Sequence, residues 1–406
     1  MTLRQKAENI INNDKTDFTS PCDLIHPFRW NWDNAFYALG IFMYSKKKAI
    51  NEINKIFERQ LPNGMIPHIF FLPNSHTYYT EPHISESNGK PLVSCISQPP
   101  ILSTIIWYMI VLGLHNKSLV HVYFNRLMYY HKWFIENRDP YNNGLISILH
   151  PWESGRDNSP DWIDALNDIH LDNSLNKDEI KQNENYNRYM QIILKNEELD
   201  WNSKEIYNNG LFNVCDPGIQ FMFIRACKDL YKMAIWLERT DCYELLNQWI
   251  DIYSTNCDKL WCNQLNTYTT LNIKTIELYK GISPTSMLYA YADIGTKFQR
   301  HKMLEHSKRI LHFSKYSFPT HDPYSNKYQL NKYWQGPVSS ILNFIVALGM
   351  AHIHESELAH NIKTHTIQLI ENNGFYKYFD PLQGLGFGEN ESWTACVYLV
   401  FSELLM

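Results

Sequence analysis

LSTIIWYMIVLG, residues 102–113, is followed after a short break by LVHVYFNRLMYYHKWFIE, residues 119–136. The first run is apolar on most sides, which suits a helix surrounded by protein. The second is amphipathic and ends before Pro140, which suits a helix with one wet face. The same style recurs along the chain. Helices are predicted over 33–45, 217–237, 242–253, 284–291, 301–313, 337–352, 355–371 and 392–405. Several start at or just after proline, which needs no N–H in the first turn. Asp216-Pro217 and Ser283-Pro284 have the form of an N-cap followed by the first helical residue. Fully apolar helices alternating with amphipathic ones predict concentric inner and outer rings. The expected fold class is all-α, an (α/α)6 barrel of about twelve helices with small β-hairpin insertions. A helical solenoid fits the periodicity equally well, although no fixed repeat period is present. Strand signals are sparse, at 65–71 and 144–149, where short hairpins are expected.

Bulk properties narrow the class. The chain has 406 residues, 44% of them apolar, enough for a large core. No low-complexity linker divides it, so one domain over 1–406 is expected, with a polar insertion or lid at about 166–209. Lys plus Arg number 37 against 42 Asp plus Glu, a net charge of −5. No basic excess exists to drive binding to nucleic acid or to an anionic membrane. The longest apolar stretch, 101–114, is too short to span a bilayer and contains Ser103 and Thr104. The N-terminus is polar and lacks the apolar segment of a secretory signal, so a cytoplasmic location is expected. The eight cysteines, at 22, 95, 215, 227, 242, 257, 262 and 396, include no C-x-x-C and no zinc spacing with His. They read as reduced, buried thiols. No metal and no cofactor is expected, and the sequence does not set the oligomeric state. Aromatic residues reach 14%. They serve either core packing or a cleft whose flat rings cover the apolar faces of sugars.

Four segments carry candidate chemistry. In PFRWNWDNAF (27–36), Trp30 and Trp32 flank the helix start at Asp33. That is either a sugar subsite, with rings beside a carboxylate, or an N-cap with packing beneath. In HPWESGRDNSPDW (150–162), Trp152, Glu153 and Asp157 lie in a loop before a helix. Aromatic neighbours can desolvate a carboxyl and keep it protonated for use as an acid; otherwise the segment is a polar turn capping the next helix. YWQGPV (333–338) brings Tyr333, Trp334 and Gln335 into a helix entrance. GFYKYFDP (374–381), a run of glycines and ESWTA (391–395) place Lys377, Glu391 and Trp393 close in sequence.

Together with GMIPH (64–68) and SQPP (97–100), these motifs occur in one order. The chain resembles the mannosylglycerate and glucosylglycerate hydrolases of glycoside hydrolase family 63 over about residues 20–405, with more distant similarity to trehalases. The resemblance implies an (α/α)6 barrel and an inverting α-glycosidase ancestry. Such a mechanism needs two carboxyl groups on opposite sides of the anomeric carbon. The family's acid falls on Asp157 and its sugar-binding Asp on Asp33. Gln98 and Arg188 match positions that resemble those contacting the glycerate portion. His68, Trp152, Glu153, Tyr333, Trp334, Gln335 and Trp393 fall within the same motifs. The implied ligand is a small glycoside or sugar-like molecule.

The pattern breaks at the base. The family's Phe-Tyr-Glu-Tyr motif has Lys377 at its glutamate. An ammonium cannot take a proton from water without a large fall in its pKa, and it favours the ionised form of a nearby acid. Gln335 stands where the family has Arg, Ser339 where it has Trp, and Glu391 where it has Phe. Three accounts are open at this point: Glu391 has taken over as base; the barrel binds a ligand without hydrolysis; or Lys377 and Asp157 act as a pair in other chemistry. A protein-interaction scaffold is the contrasting class, and it would show apolar patches on the outer helices.

Overall fold

A computed structural model describes residues 1–12, 29–70, 84–85, 93–170, 184–388 and 391–404. Expectations for Cys22, Pro27, Phe28, Phe71, Leu405 and the 171–183 part of the polar stretch lie outside these residues.

Six elements form an inner ring: the helices Asn31–Phe42, Leu102–Val111 and Pro217–Leu237, the 3-10 turn Pro284–Leu288 running into Tyr289–Ala292, and the helices Ser340–His352 and Ser392–Leu404. Each touches the next, and the last packs against the first, so the ring closes. Closure excludes the solenoid. Every residue of Asn31–Phe42 is buried, as are nearly all of Ser340–His352. These helices have no wet side, which is why their sequences carry almost no charge.

The outer layer pairs with the inner one. Lys46–Glu58, Lys117–Arg138, Tyr243–Thr255, Lys297–Phe313 and Ser356–Asn373 each pack on the inner element that precedes them, while Leu3–Asn12 covers Ser392–Leu404. The N-terminal helix thus completes the hairpin begun by the C-terminal one. The helices Leu3–Asn12 and Lys46–Glu58 are polar enough that apolar spacing did not single them out. Asp216 and Ser283 cap their helices as expected, accepting from the backbone N–H of Ile219 and Thr285. Lys297–Phe313 starts before the predicted His301, through a capping box of Thr296 and Gln299.

The strand expectations need correction. Ile69–Phe70 is a strand, but it pairs with Arg29–Trp30 and Val93 in a four-stranded sheet rather than a hairpin of its own. Within 144–149 only an isolated bridge from Ile148 to Val214 forms. Hairpins occur instead at Trp261–Cys262 with Thr267–Tyr268 and at Tyr378–Phe379 with Gly386–Phe387. Strands of two residues show no alternation, so no period was there to read. The described parts of the polar stretch include the helices Glu184–Glu198 and Ser203–Asn209. No described helix is long and apolar enough to cross a membrane. The described cysteines are all free thiols, with Cys95 and Cys262 half-buried and the others buried.

Backbone crowding between inner elements sets one prediction. A Cβ on Gly349 would stand 2.5 Å from the Tyr291 backbone nitrogen. Helix backbone cannot yield as a side-chain tip can. Gly349→Ala is expected to cost about 1–3 kcal/mol, read as a lower urea midpoint with an unchanged slope.

Candidate active site

Two inner helices begin at one cavity, and others are entered through its loops. A space of about 280 Å³ is lined by Trp30, Trp32, Asp33, Gln98, Trp152, Gly155, Asp157, Asn158, Tyr333, Lys377, Glu391 and Trp393. Helix N-termini direct unpaired N–H groups toward such a mouth and favour negative charge there.

Four indoles and a phenol give the wall its apolar part. Trp32 meets Trp393 edge to face, with centroids 5.3 Å apart at 80°. This contact ties the start of the first inner helix to the start of the last. Trp152 is fixed from behind by His68, whose ring lies 5.9 Å away at 24°. The backbone N–H of Trp32 donates to Gln98 Oε1 at 2.9 Å, so this carboxamide is oriented by the helix start.

Gly155 and Asn158 were not singled out from the sequence, although both lie in the 150–162 motif. Gly155 has φ 65°, and a Cβ there would fall 2.6 Å from Trp32 Cζ2. The loop thus needs a residue that is at ease in the left-handed region and has no side chain.

Three carboxyls and one ammonium share the wall. Asp33 sits in the first helical turn, not at the N-cap, which is Trp30. Burial pushes the Asp33 carboxyl well above its usual range, and the neighbouring Glu391 adds to this while Lys377 opposes it. Burial also raises Asp157, again against Lys377. The Asp157 carbonyl accepts from Tyr189 Oη at 2.6 Å, which anchors the loop that carries this carboxyl. Glu391 is 2% exposed and immediately precedes the last inner helix. Burial lifts its carboxyl from 4.5 to about 7, with Lys377 and the Trp393 N–H pulling the other way. The Lys377 ammonium lies 4.6 Å from the Tyr333 ring centroid. Like charges and burial thus push the carboxyls toward protonation, and one cation restrains them.

Several predicted site residues stand elsewhere. Glu153 is not on the cavity wall. It is paired with Arg138, whose Nε lies 3.0 Å and 3.1 Å from its two oxygens, and it accepts from Leu149 N and Ser97 Oγ at 2.7 Å each. Burial alone would raise its pKa, but the guanidinium and these donors hold it below the usual range. Its carboxylate is consumed by fixing the loop that carries Asp157. His68 lies behind Trp30 and Trp152 and bonds Ser94 Oγ through Nδ1. Burial and the nearby His150 lower its pKa to about 3, so the ring is neutral. Trp334 is core, 2% exposed. Arg188 and Gln335 line a separate polar cleft on the far side of Asn158, whose carbonyl accepts from Gln335 Nε2 at 3.0 Å. Among the described residues no cluster of His, Cys, Asp and Glu could hold a metal ion.

Comparison with known proteins gives a consistent relationship. Residues 26–394 match the mannosylglycerate hydrolase MGH1-like glycoside hydrolase domain. A mannosylglycerate hydrolase of Thermus thermophilus is 31% identical, over 98% of this chain and 99% of its own. A glucosylglycerate hydrolase of Mycolicibacterium hassiacum is 26% identical, over 95% and 94%. The crystal structure of the Thermus thermophilus family 63 mannosylglycerate hydrolase with Tris and D-glycerate superposes with a TM-score of 0.91 at 30% identity, over 99% of this chain and all of the other. The closed ring of paired helices is thus the (α/α)6 barrel of that enzyme, and the chain belongs to the mannosylglycerate hydrolase-like glycoside hydrolases of family 63.

Proposed function

We propose that the chain hydrolyses a small α-glycoside with an anionic aglycone, of the glucosyl- or mannosylglycerate type, with inversion at the anomeric carbon. Asp157 is the general acid and Glu391 the general base. One observation carries this reading. Glu391 is a buried carboxyl that lines the same cavity as Asp157, and burial pushes it up to about 7. A base works best when its pKa lies near the operating pH. Glu391 takes a proton from water, and the water oxygen attacks the anomeric carbon. The bond to the leaving oxygen breaks as Asp157 delivers its proton there. Burial, the largest influence on Asp157, favours the protonated state that this role requires. Trp32, Trp152 and Trp393 offer apolar faces to the sugar ring, and Asp33 accepts from its hydroxyls. The substrate class rests on the relatives: two are glycerate-glycoside hydrolases by name, and one was solved with D-glycerate.

A second reading rests on Lys377. Its charge favours the ionised form of Asp157, which cannot act as an acid. In that reading the cavity binds a sugar-like ligand without turnover.

The test is release of free hexose from α-glucosyl- and α-mannosylglycerate, trehalose and aryl α-glucosides. Hexose release with the β-anomer formed first is expected. Asp157→Asn is expected to lose about 10²-fold or more on glycerate glycosides. The loss should be smaller on aryl glycosides, whose leaving groups need less protonation. No release by the wild type, with a ligand-induced rise in melting temperature, would establish the binding reading instead.

A further inference from the structure

Glu391 works in a crowded electrostatic setting. From the first inner helix it is faced by Asp33, from its own helix by Cys396, from the 333–338 loop by Tyr333, and from the 374–388 hairpin by Lys377. Three of these four groups are acidic when they ionise, and Lys377 is the cation. Asp157, which lines the same cavity, also feels Lys377. A buried carboxylate beside another carboxyl and away from water reverts to its neutral form unless a cation is held nearby.

The Lys377 backbone is set firmly. Its N–H donates to the carbonyls of Phe387 and Gly388, at 3.0 Å and 2.8 Å, across the hairpin. Further out, Tyr378 stacks on Phe387 at 5.4 Å and 24°, and Tyr333 leans on Tyr378 at 5.5 Å. The ring that carries the ammonium is therefore braced by the strand that directly follows the lysine. The aliphatic stem need only extend along this wall to place a positive charge among the carboxyls.

We propose that Lys377 is a positioning residue for the general base: its ammonium, resting on Tyr333 at the cavity wall, holds Glu391 in the charged form that hydrolysis needs. The replacement of the family's glutamate by lysine is then half of an exchange. The carboxylate at the family's phenylalanine position and the ammonium at its glutamate position are the two halves, and the cation does not itself take the proton from water. This inference rests on the assignment of Glu391 as base.

The direct test is carbon-13 NMR of glutamate-labelled protein, with Glu391 identified by its loss in Glu391→Gln. Lys377→Met is expected to move the Glu391 midpoint upward by about one to two pH units. Lys377→Arg, which keeps the charge, is expected to leave it near the wild-type value. The acid limb of the pH profile of kcat/KM should move with the midpoint, so Lys377→Met loses about tenfold per pH unit on that limb and recovers at higher pH. An unmoved midpoint in a folded Lys377→Met protein overturns the inference. So does a loss of activity uniform across pH with both limbs unmoved, the mark of a merely structural side chain. If the midpoint moves but Glu391→Gln turns over normally, it is the base assignment that fails, and Lys377 as its positioning residue falls with it.

Discussion

Glu391→Gln is expected to lower kcat/KM on glycerate glycosides by about 10² to 10⁴-fold, the usual contribution of a general base. The substitution keeps the shape of the side chain and its acceptor for the Trp393 N–H, so the start of the last inner helix should stand. What it removes is the oxygen pair able to accept a proton from water. The loss should appear in kcat as much as in kcat/KM, because proton removal belongs to the transition state rather than to ground-state binding. Retention of more than a third of wild-type turnover would remove Glu391 from the mechanism.

The same variant makes a second, opposite prediction for stability. The Glu391 carboxyl titrates at about 7 in the fold against 4.5 as the ordinary value. The native state holds this proton more tightly than the unfolded chain between those values. Stability from the bound proton is whole below about 4.5 and is lost as pH rises through about 7. The gap corresponds to on the order of 3 kcal/mol. Glutamine has no proton to lose. Urea unfolding at pH 5 and pH 8 should therefore show a smaller fall with pH for Glu391→Gln than for the wild type. An enzyme that loses activity while gaining stability at alkaline pH has lost a functional strain, not a structural support.

How much could be read from residues 102–136 follows from what a ring demands. An inner helix must be apolar all round and its partner on one face, and both periods were present in the sequence. The closing pair was harder. Leu3–Asn12 covers Ser392–Leu404, so the partners stand at opposite ends of the chain. At the site, the motifs bring Asp33, Asp157, Lys377 and Glu391 to one cavity, with Asp33 and Glu391 at the starts of inner helices and Asp157 and Lys377 in loops at the ring's mouth. Glu153 and Trp334 were drawn in by the same motifs and stand off the wall. Adjacent positions in a loop face opposite ways, and a motif records both the residues that touch ligand and those that hold the loop. Sequence cannot separate the two classes, since both need a particular residue type. Burial and partners do separate them: Glu153 has every acceptor position occupied by the protein, whereas Asp157 offers its carboxyl to the cavity.

Glu153→Leu is expected to cost about 3–5 kcal/mol of global stability, the usual result of leaving one member of a buried ion pair alone. Glu153 and Arg138 are 2% and 5% exposed, so water cannot replace either partner. Among the described residues Arg138 would retain Asn137 O at 3.0 Å, Ser203 Oγ at 3.3 Å and the Trp133 ring at 4.6 Å from its guanidinium, none of which carries charge. The N–H groups of Leu149 and Ser97 would lose their acceptor as well. Removing both charges should recover much of the loss, so Arg138→Met with Glu153→Leu is expected to be more stable than Glu153→Leu alone. Urea unfolding of the two single variants and the double gives the coupling directly. A single-variant loss under about 1 kcal/mol would equate the pair with a surface salt bridge. Glu153 would then be free of the structural duty assigned here, and the firmness of the loop that presents Asp157 would have to come from Tyr189 and the Gly155–Trp32 contact instead.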